Sequence, residues 1–264
     1  MLWSLEGGGG DGPTLLLLHG LSGTADFWSG VIAETPRWPG PWLAVDLAGH
    51  GRSPRQVNYS LGSHAASVAE TVCGLVKGPV VILGHSLGGV VGLALATGWF
   101  GVDVVAAVGL GMKISWTEED LTGMAVLRAK GSRAFASHGE AAARFVANNG
   151  LRGIIEPADP RVGSGLKQTA DGWELAHDPA SFPDFVAPTA ELLRLATGSV
   201  VVACGDGDVM VRPAELAALQ PGLAVEVLSG VGHNAHIEAP GATLDLAILA
   251  LGQAKAHHVD DCAD

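Results

Sequence analysis

Ser86 is the residue whose surroundings most resemble a site of chemistry. It lies in Gly84-His85-Ser86-Leu87-Gly88, a G-x-S-x-G pattern. Before it runs Pro79-Val80-Val81-Ile82-Leu83, a short β-branched run that predicts a buried strand. After it runs Gly89-Val90-Val91-Gly92-Leu93-Ala94-Leu95-Ala96, small and apolar, which predicts a helix packed close to a sheet and reaching about Trp99. A sharp turn from strand to helix holds its serine in a strained backbone conformation and lifts Oγ above the sheet. Side chains at positions 84 and 88 would collide with the neighbouring strand and helix, so both are glycine. The five-residue pattern is common by itself. Its flanks are what point to a nucleophile.

A serine hydroxyl is a weak nucleophile near neutral pH. It needs a base, and the base needs a carboxylate to orient it. Two downstream loops offer these groups. Gly205-Asp206-Gly207-Asp208 follows a strand-like run at 200–203, and Gly230-Val231-Gly232-His233 follows another at 224–228. Both loops fall at the carboxyl end of a strand, the edge on which Ser86 also lies.

The elements that must position these groups can be read from spacing. Strand-like runs recur at 14–18, 42–45, 80–83, 104–108, 200–203 and 224–228, with a further edge strand at 2–5. Helix signals lie between them. Thr24-Ala25-Asp26 predicts a cap for a helix to Glu34, and Ser63 a cap for a helix to Lys77, with Gly78 as its stop. This alternation predicts an α/β fold, a doubly wound and mostly parallel sheet with helices on both faces. The rhythm breaks between Met112 and about Pro188, where no buried strand is evident. Thr117-Glu118-Glu119-Asp120 opens a helix to about Ala129, a second helix covers 140–148 and stops at Gly150, and 157–173 is less regular. A helical insertion there would sit over the carboxyl ends of the strands. The expected division is a core of residues 1–111 and 189–264 with a lid at 112–188.

Composition bounds the answer. At 264 residues and 48% hydrophobic, the chain is long enough for one large α/β domain. Its formal net charge is −12, with 15 Lys plus Arg and no basic stripe, which argues against nucleic acid as a partner and for a soluble protein. Cys73, Cys204 and Cys262 are too few and too scattered for a disulfide framework or a zinc site, and the first two read as buried structural thiols. No histidine and carboxylate spacing resembles a metal site. No signal peptide is read at the start, which implies a cytoplasmic protein. Residues 88–112 are nearly all apolar, but Asp103 stands within them, where a membrane would penalise it; helix, turn and buried strand is the preferred reading. Residues 257–264 read as a loose polar tail.

Taken together, the sequence resembles the α/β-hydrolase superfamily across essentially its whole length. Besides the elbow, His19-Gly20 resembles the family's oxyanion loop and Asp46-Leu47-Ala48-Gly49-His50-Gly51-Arg52-Ser53 its D-x-x-G-x-G-x-S segment. Gly205-x-x-Asp208 resembles the acid loop, and Gly232-His233 followed by Glu238 and Pro240 the histidine loop. The resemblance implies the chain order Ser, acid, His. It makes Ser86 the nucleophile, His233 the general base and Asp208 the orienting acid, with Asp206 as the rival acid and His236 as a competitor of His233. The loop after strand 104–108, Gly109-Leu110-Gly111-Met112-Lys113, offers no carboxylate in place of either acid. Backbone N–H groups of Leu21 and Leu87 are the expected oxyanion donors. His19, His50 and His85 are read as structural, and Asp46 and Arg52 as holding the loop between them.

This implies a cofactor-free hydrolase that works through an acyl-enzyme on a small-molecule substrate, foremost a small or medium carboxylic ester. Lactone, thioester, amide and carbon–carbon hydrolysis remain open within the same machinery. A serine at the nucleophile position argues against epoxide hydrolases and haloalkane dehalogenases, which usually carry Asp there. A non-catalytic small-molecule receptor is the alternative of a different class. Trp28, Met112, Trp116, Met124, Phe145 and Met210 are candidate pocket residues, each equally readable as core or lid packing. A monomer and a homodimer both fit.

Overall fold

The computed structural model describes residues 1–261. Cys262 and the last residues of the expected tail lie outside them. The strands are β1 (Ser4–Gly8), β2 (Thr14–Leu18), β3 (Pro41–Val45), β4 (Val80–His85), β5 (Val104–Leu110), β6 (Leu166–Thr169), β7 (Gly172–Leu175), β8 (Ser199–Gly205) and β9 (Val225–Leu228). The helices are α1 (Ser29–Ala33), α2 (Leu61–Leu75), α3 (Leu87–Ala96), α4 (Glu118–Lys130), α5 (His138–Asn148), α6 (Thr189–Leu195), α7 (Pro213–Ala217), α8 (Ala235–Glu238) and α9 (Pro240–Asp261). Seven strands form one sheet in the order β1-β3-β2-β4-β5-β8-β9. All neighbours run parallel except β1, which pairs antiparallel with β3 at the edge.

This order dictates where a ligand can bind. From β2 the chain steps outward to β3, then returns to add β4 on the other side of β2. The loops leaving β2 and β4 diverge at that reversal and open a crevice at the carboxyl ends. Ser86 directly follows β4, and Leu21 lies just beyond β2.

The sheet is buried on both faces, so its strands read as continuous apolar runs. Side chains still alternate across it. Leu16, Leu18 and Ile82 enter the core under α2 and α3, with Leu93. Leu15, Leu17, Val81 and Leu83 enter the opposite core, with Trp28 and the Leu244–Leu251 stretch of α9. Each fully buried leucine contributes about 1.5–3 kcal/mol. Among the described residues no helix is long and apolar enough to cross a membrane. The apolar stretch at 88–112 is α3, a turn at Gly101 and β5.

Several helix ends differ from expectation. Thr24 makes no cap; its Oγ1 bonds Ser164 Oγ at 2.8 Å, and a tight turn over Ala25–Trp28 precedes α1. Helix α2 is capped by Ser60, whose Oγ accepts from Ser63 N at 3.2 Å, while Ser63 Oγ is occupied by the Ser60 carbonyl at 2.8 Å. Its C-cap Val76 is already extended, two residues before Gly78. Helix α3 ends at Ala96, and α5 starts at His138 behind the cap Ser137. The region read as a tail from residue 257 begins as a continuation of α9, which reaches Asp261.

Between β5 and α6 the chain leaves the sheet. Helix α4 carries a full capping box between Thr117 and Asp120, the predicted start. The hairpin β6–β7 was not expected. Its strands are four residues each and only Leu166 is buried, so neither shows a core-facing pattern. The insertion has its own small core of Phe135, Phe145, Val146, Leu151 and Leu166, anchored to the main body through Phe27.

Asp46, at the end of β3, ties the loops around the crevice. Its fully buried carboxylate accepts from Ala25 N at 2.7 Å, Arg52 N at 2.8 Å and Arg52 Nε at 2.8 Å, while the Arg52 guanidinium also lies over the Trp3 ring. Asp46 and Arg52 do hold the loop between them, and the Ala25 contact extends the tie to the segment after β2. Asp46→Ala strands these donors, and we expect a loss of about 3 kcal/mol, read as a lower urea midpoint at unchanged slope.

Candidate active site

The turn at Ser86 is backbone packed on backbone. Ser86 has φ 51° and ψ −116°, a conformation costly for an L-residue, of order 1–3 kcal/mol. It is over-determined by its contacts. Ser86 N donates to Leu110 O at 2.8 Å, and Ser86 O accepts from Gly89 N and Val90 N. A Cβ at Gly84 would stand 2.3 Å from Gly88 O, and one at Gly88 would stand 2.2 Å from Leu18 O. Strand β4, helix α3 and the end of β2 therefore meet where only glycine fits.

Asp208 and His233 come together from the loops after β8 and β9. His233 Nδ1 donates to Asp208 Oδ2 at 2.9 Å, and the Asp208 side chain is fully buried. Asp208 Oδ1 accepts from Met210 N at 2.8 Å and Val211 N at 3.3 Å, so the carboxylate is fixed by its own loop. Asp206 is elsewhere: its Oδ1 accepts from Gly230 N at 2.8 Å and clamps the two loops together. Gly111, at φ +62°, backs the pair, with its missing Cβ 3.3 Å from the His233 ring. With Nδ1 carrying the proton, His233 Nε2 has a free lone pair. Ser86 and His233 line the same cavity; among the described residues no hydrogen bond joins them. Such contacts tighten on substrate binding.

The loop after β2 is set by His19, one of the histidines that the sequence left as structural. Leu47 N donates to His19 Nε2 at 2.8 Å, which places the His19 proton on Nδ1 and lets it donate to Gly20 O at 2.7 Å. Gly23 N binds the same carbonyl at 3.0 Å. In a trans peptide the next N–H points the opposite way, so Leu21 N–H turns away from His19. Leu87 N–H is in the first turn of α3, where helix N–H groups lack internal partners. Leu21, Leu87 and Gly20 all line the cavity. His85 Nε2 donates to the His233 carbonyl at 3.0 Å and steadies that loop from beneath.

The cavity is about 620 Å³, a size suited to a small molecule. Of the candidate pocket residues, Trp116, Met124 and Met210 line it. Trp28, Met112 and Phe145 do not. Trp28 is wholly buried between the sheet and α9, and its neighbour Phe27 faces the cavity instead. Met112 fills the space left by Gly89 and Gly109 beneath α3. Phe145 packs on Phe27, ring centroids 5.6 Å apart, inside the core of the insertion. Phe27, Lys113, Asp120, Phe182 and Phe185 were missed. For Asp120 the capping box was the available signal; the others had none.

A family model described as "Alpha/beta hydrolase family" matches residues 15–246. The chain belongs to this family. Among solved structures, E-2-(acetamidomethylene)succinate hydrolase superposes on this alpha/beta hydrolase with a TM-score of 0.78 at 22% identity, covering 94% of each chain. In sequence, 2-(acetamidomethylene)succinate hydrolase of Mesorhizobium japonicum is 27% identical over 250 residues, 89% of this chain and 86% of that one. Lipase LipV of Mycobacterium tuberculosis is 35% identical over 89 residues, 33% of each. Local matches of this kind span only 26% to 33% of the length of the curated relatives concerned.

This alpha/beta hydrolase buries an unusual run of imidazoles around its crevice. His19, His50, His64 and His177 cluster beside the loop after β2, and His236 and His85 stack at 4.2 Å behind His233. Burial pushes His64 and His177 down to about 4 and His236 to about 3, from an ordinary 6.5. The unfolded chain therefore binds more protons than the folded one between those values, and stability falls as pH drops from about 6.5 toward 4. A urea midpoint measured against pH should decline steeply in that window. His236→Leu, which removes a ring whose two nitrogens have no partner, should make the decline shallower.

Proposed function

We propose that this chain is a cofactor-free serine hydrolase that cleaves a small to medium carboxylic ester through an acyl-enzyme on Ser86. The His233–Asp208 pair at 2.9 Å, opening on the same cavity as a serine at a strained elbow, carries this reading. Ser86 Oγ attacks the ester carbonyl carbon as His233 Nε2 takes the hydroxyl proton. Asp208 keeps Nδ1 protonated and offsets the charge of the imidazolium. The oxyanion of the tetrahedral intermediate is met by Leu21 N–H and Leu87 N–H, donors already in place. His233 then protonates the departing alkoxide, and the ester bond breaks. Water adds to the acyl-enzyme with His233 as base, releasing the carboxylic acid and restoring Ser86. The insertion at 112–188 serves as the lid of this site; Trp116, Met124 and Leu127 close the cavity from its side.

A second reading rests on a different observation. The similarity to 2-(acetamidomethylene)succinate hydrolase runs over 89% of this chain, whereas that to the lipase covers 33%. The same triad applied to a bond other than an open-chain ester is therefore the runner-up, with lactone, amide and carbon–carbon substrates as its members.

Labelling with a fluorophosphonate, followed by intact mass, tests the nucleophile. Wild type should gain one adduct and Ser86→Ala none. On p-nitrophenyl butyrate, Asp208→Asn should lose on the order of 10³-fold or more in kcat, because His233 is left in the wrong tautomer. Absence of both labelling and turnover would favour a non-catalytic receptor.

A further inference from the structure

The electrostatics of the cavity narrow the substrate beyond its size, an inference that rests on Ser86 hydrolysis as proposed above. Lys113 is the one lysine or arginine among the described residues lining the cavity. It is already engaged. Its Nζ lies 2.6 Å from Asp120 Oδ1 and 4.9 Å from the centre of the Trp116 ring, and its side chain is only 16% exposed. Asp120 is fixed in turn, because its Oδ2 accepts from Thr117 N and Thr117 Oγ1, both at 2.9 Å. The remaining charged side chain of the lining besides histidine is another carboxylate, Glu238, which accepts from Gly232 N at 3.0 Å. Uncharged polar side chains of Ser22, Asn148, Asn149 and Asn234 also line it, and the larger part of the wall is apolar, with Phe27, Met124, Leu127, Phe182, Phe185 and Val209 prominent.

A carboxylate or phosphate on the substrate would lose its water here and find no free cation. To recruit Lys113 it would have to displace Asp120, leaving that carboxylate unpaired and weakening the cap of α4. Desolvating an ion without a partner costs several kcal/mol. The hydrogen bond from Lys113, with those from Thr117, holds the Asp120 carboxyl down at about 2, which keeps it an anion against the Lys113 Nζ.

We infer that the substrate is an uncharged, apolar ester and that Asp120, by occupying Lys113, is the specificity-determining residue that excludes carboxylate-bearing substrates. The test compares p-nitrophenyl hexanoate with mono-p-nitrophenyl adipate, which has an acyl chain of the same carbon count ending in a carboxylate. Wild type should favour the hexanoate in kcat/KM by about a hundredfold, an unpaired-anion penalty at the low end of several kcal/mol. Asp120→Asn keeps an acceptor for Thr117 while freeing Lys113, and should raise the adipate-to-hexanoate ratio about tenfold, the size of one recovered charge contact. In the double variant Lys113→Met/Asp120→Asn that gain should vanish. Calorimetric titration of Ser86→Ala protein with ethyl hexanoate and monoethyl adipate reads the same selectivity without turnover, and only the neutral ester should bind well. Equal or better use and binding of the adipate by protein with intact Asp120 would overturn the inference, even if Asp120→Asn fails to fold. Hexanoate turnover that persists in Ser86→Ala would overturn the nucleophile instead, leaving the titration to decide selectivity.

Discussion

The close approach of three backbones around Ser86 is the constraint on which the rest of the site depends. Gly84 lies against Gly88, and Gly88 against the end of β2, at distances that leave no room for a Cβ. That contact forces φ to 51° at Ser86 and sets the start of α3 beside the loop after β2. The sharp turn at Ser86 and the placing of α3 beside the loop after β2 are thus consequences of one packing event. The strain at Ser86 is sustained by the buried sheet around it, where β2 and β4 are covered on both faces.

A second layer converts this rigid floor into a polar site. Among the described residues, Asp46, His19 and His85 make no hydrogen bond to the side chains of Ser86 or His233. They act on backbone groups instead: Asp46 on Ala25 N, His19 on Gly20 O, His85 on His233 O. Loops would otherwise be the least ordered part of an α/β fold. Here the loops after β2, β3 and β9 are each held by a buried side chain from a neighbouring strand end or loop. The cost is a set of desolvated imidazoles that must stay neutral, so the order of the site is coupled to pH.

The insertion between β5 and α6 has a different character. It carries its own small core and meets the main body along polar and aromatic contacts, among them Phe27 with Phe145, Thr24 with Ser164, Tyr59 with Asp178 and Asn234 with Asn149. Helix α4 buries none of its residues and is tied down by the Lys113–Asp120 pair and an ion pair between Arg128 and Asp184. Lining residues on such an exposed helix can change without altering the buried sheet, which is how one fold supports many functions.

Much of this was legible in the chain because it follows from local rules. Buried strands are apolar runs, a glycine-flanked serine between strand and helix can only be a tight turn, and Gly-x-x-Asp and Gly-His at strand ends fall on one edge of a parallel sheet. The resemblance already favoured Asp208 over Asp206, and three dimensions supplied the physical reason: both carboxylates leave the same loop, one toward His233 and the other toward Gly230 N. The pocket wall also needed them. Trp28 and Phe27 are adjacent, yet one faces the core and the other the cavity. Met112 looked like a lining residue until Gly89 and Gly109 were seen to make room for it. The Lys113–Asp120 pair joins residues seven apart across the start of α4. Sequence alone determined which backbone turns must exist, since sterics and burial act on neighbours along the chain. Tertiary structure decided which side chains face the ligand, since that depends on neighbours in space.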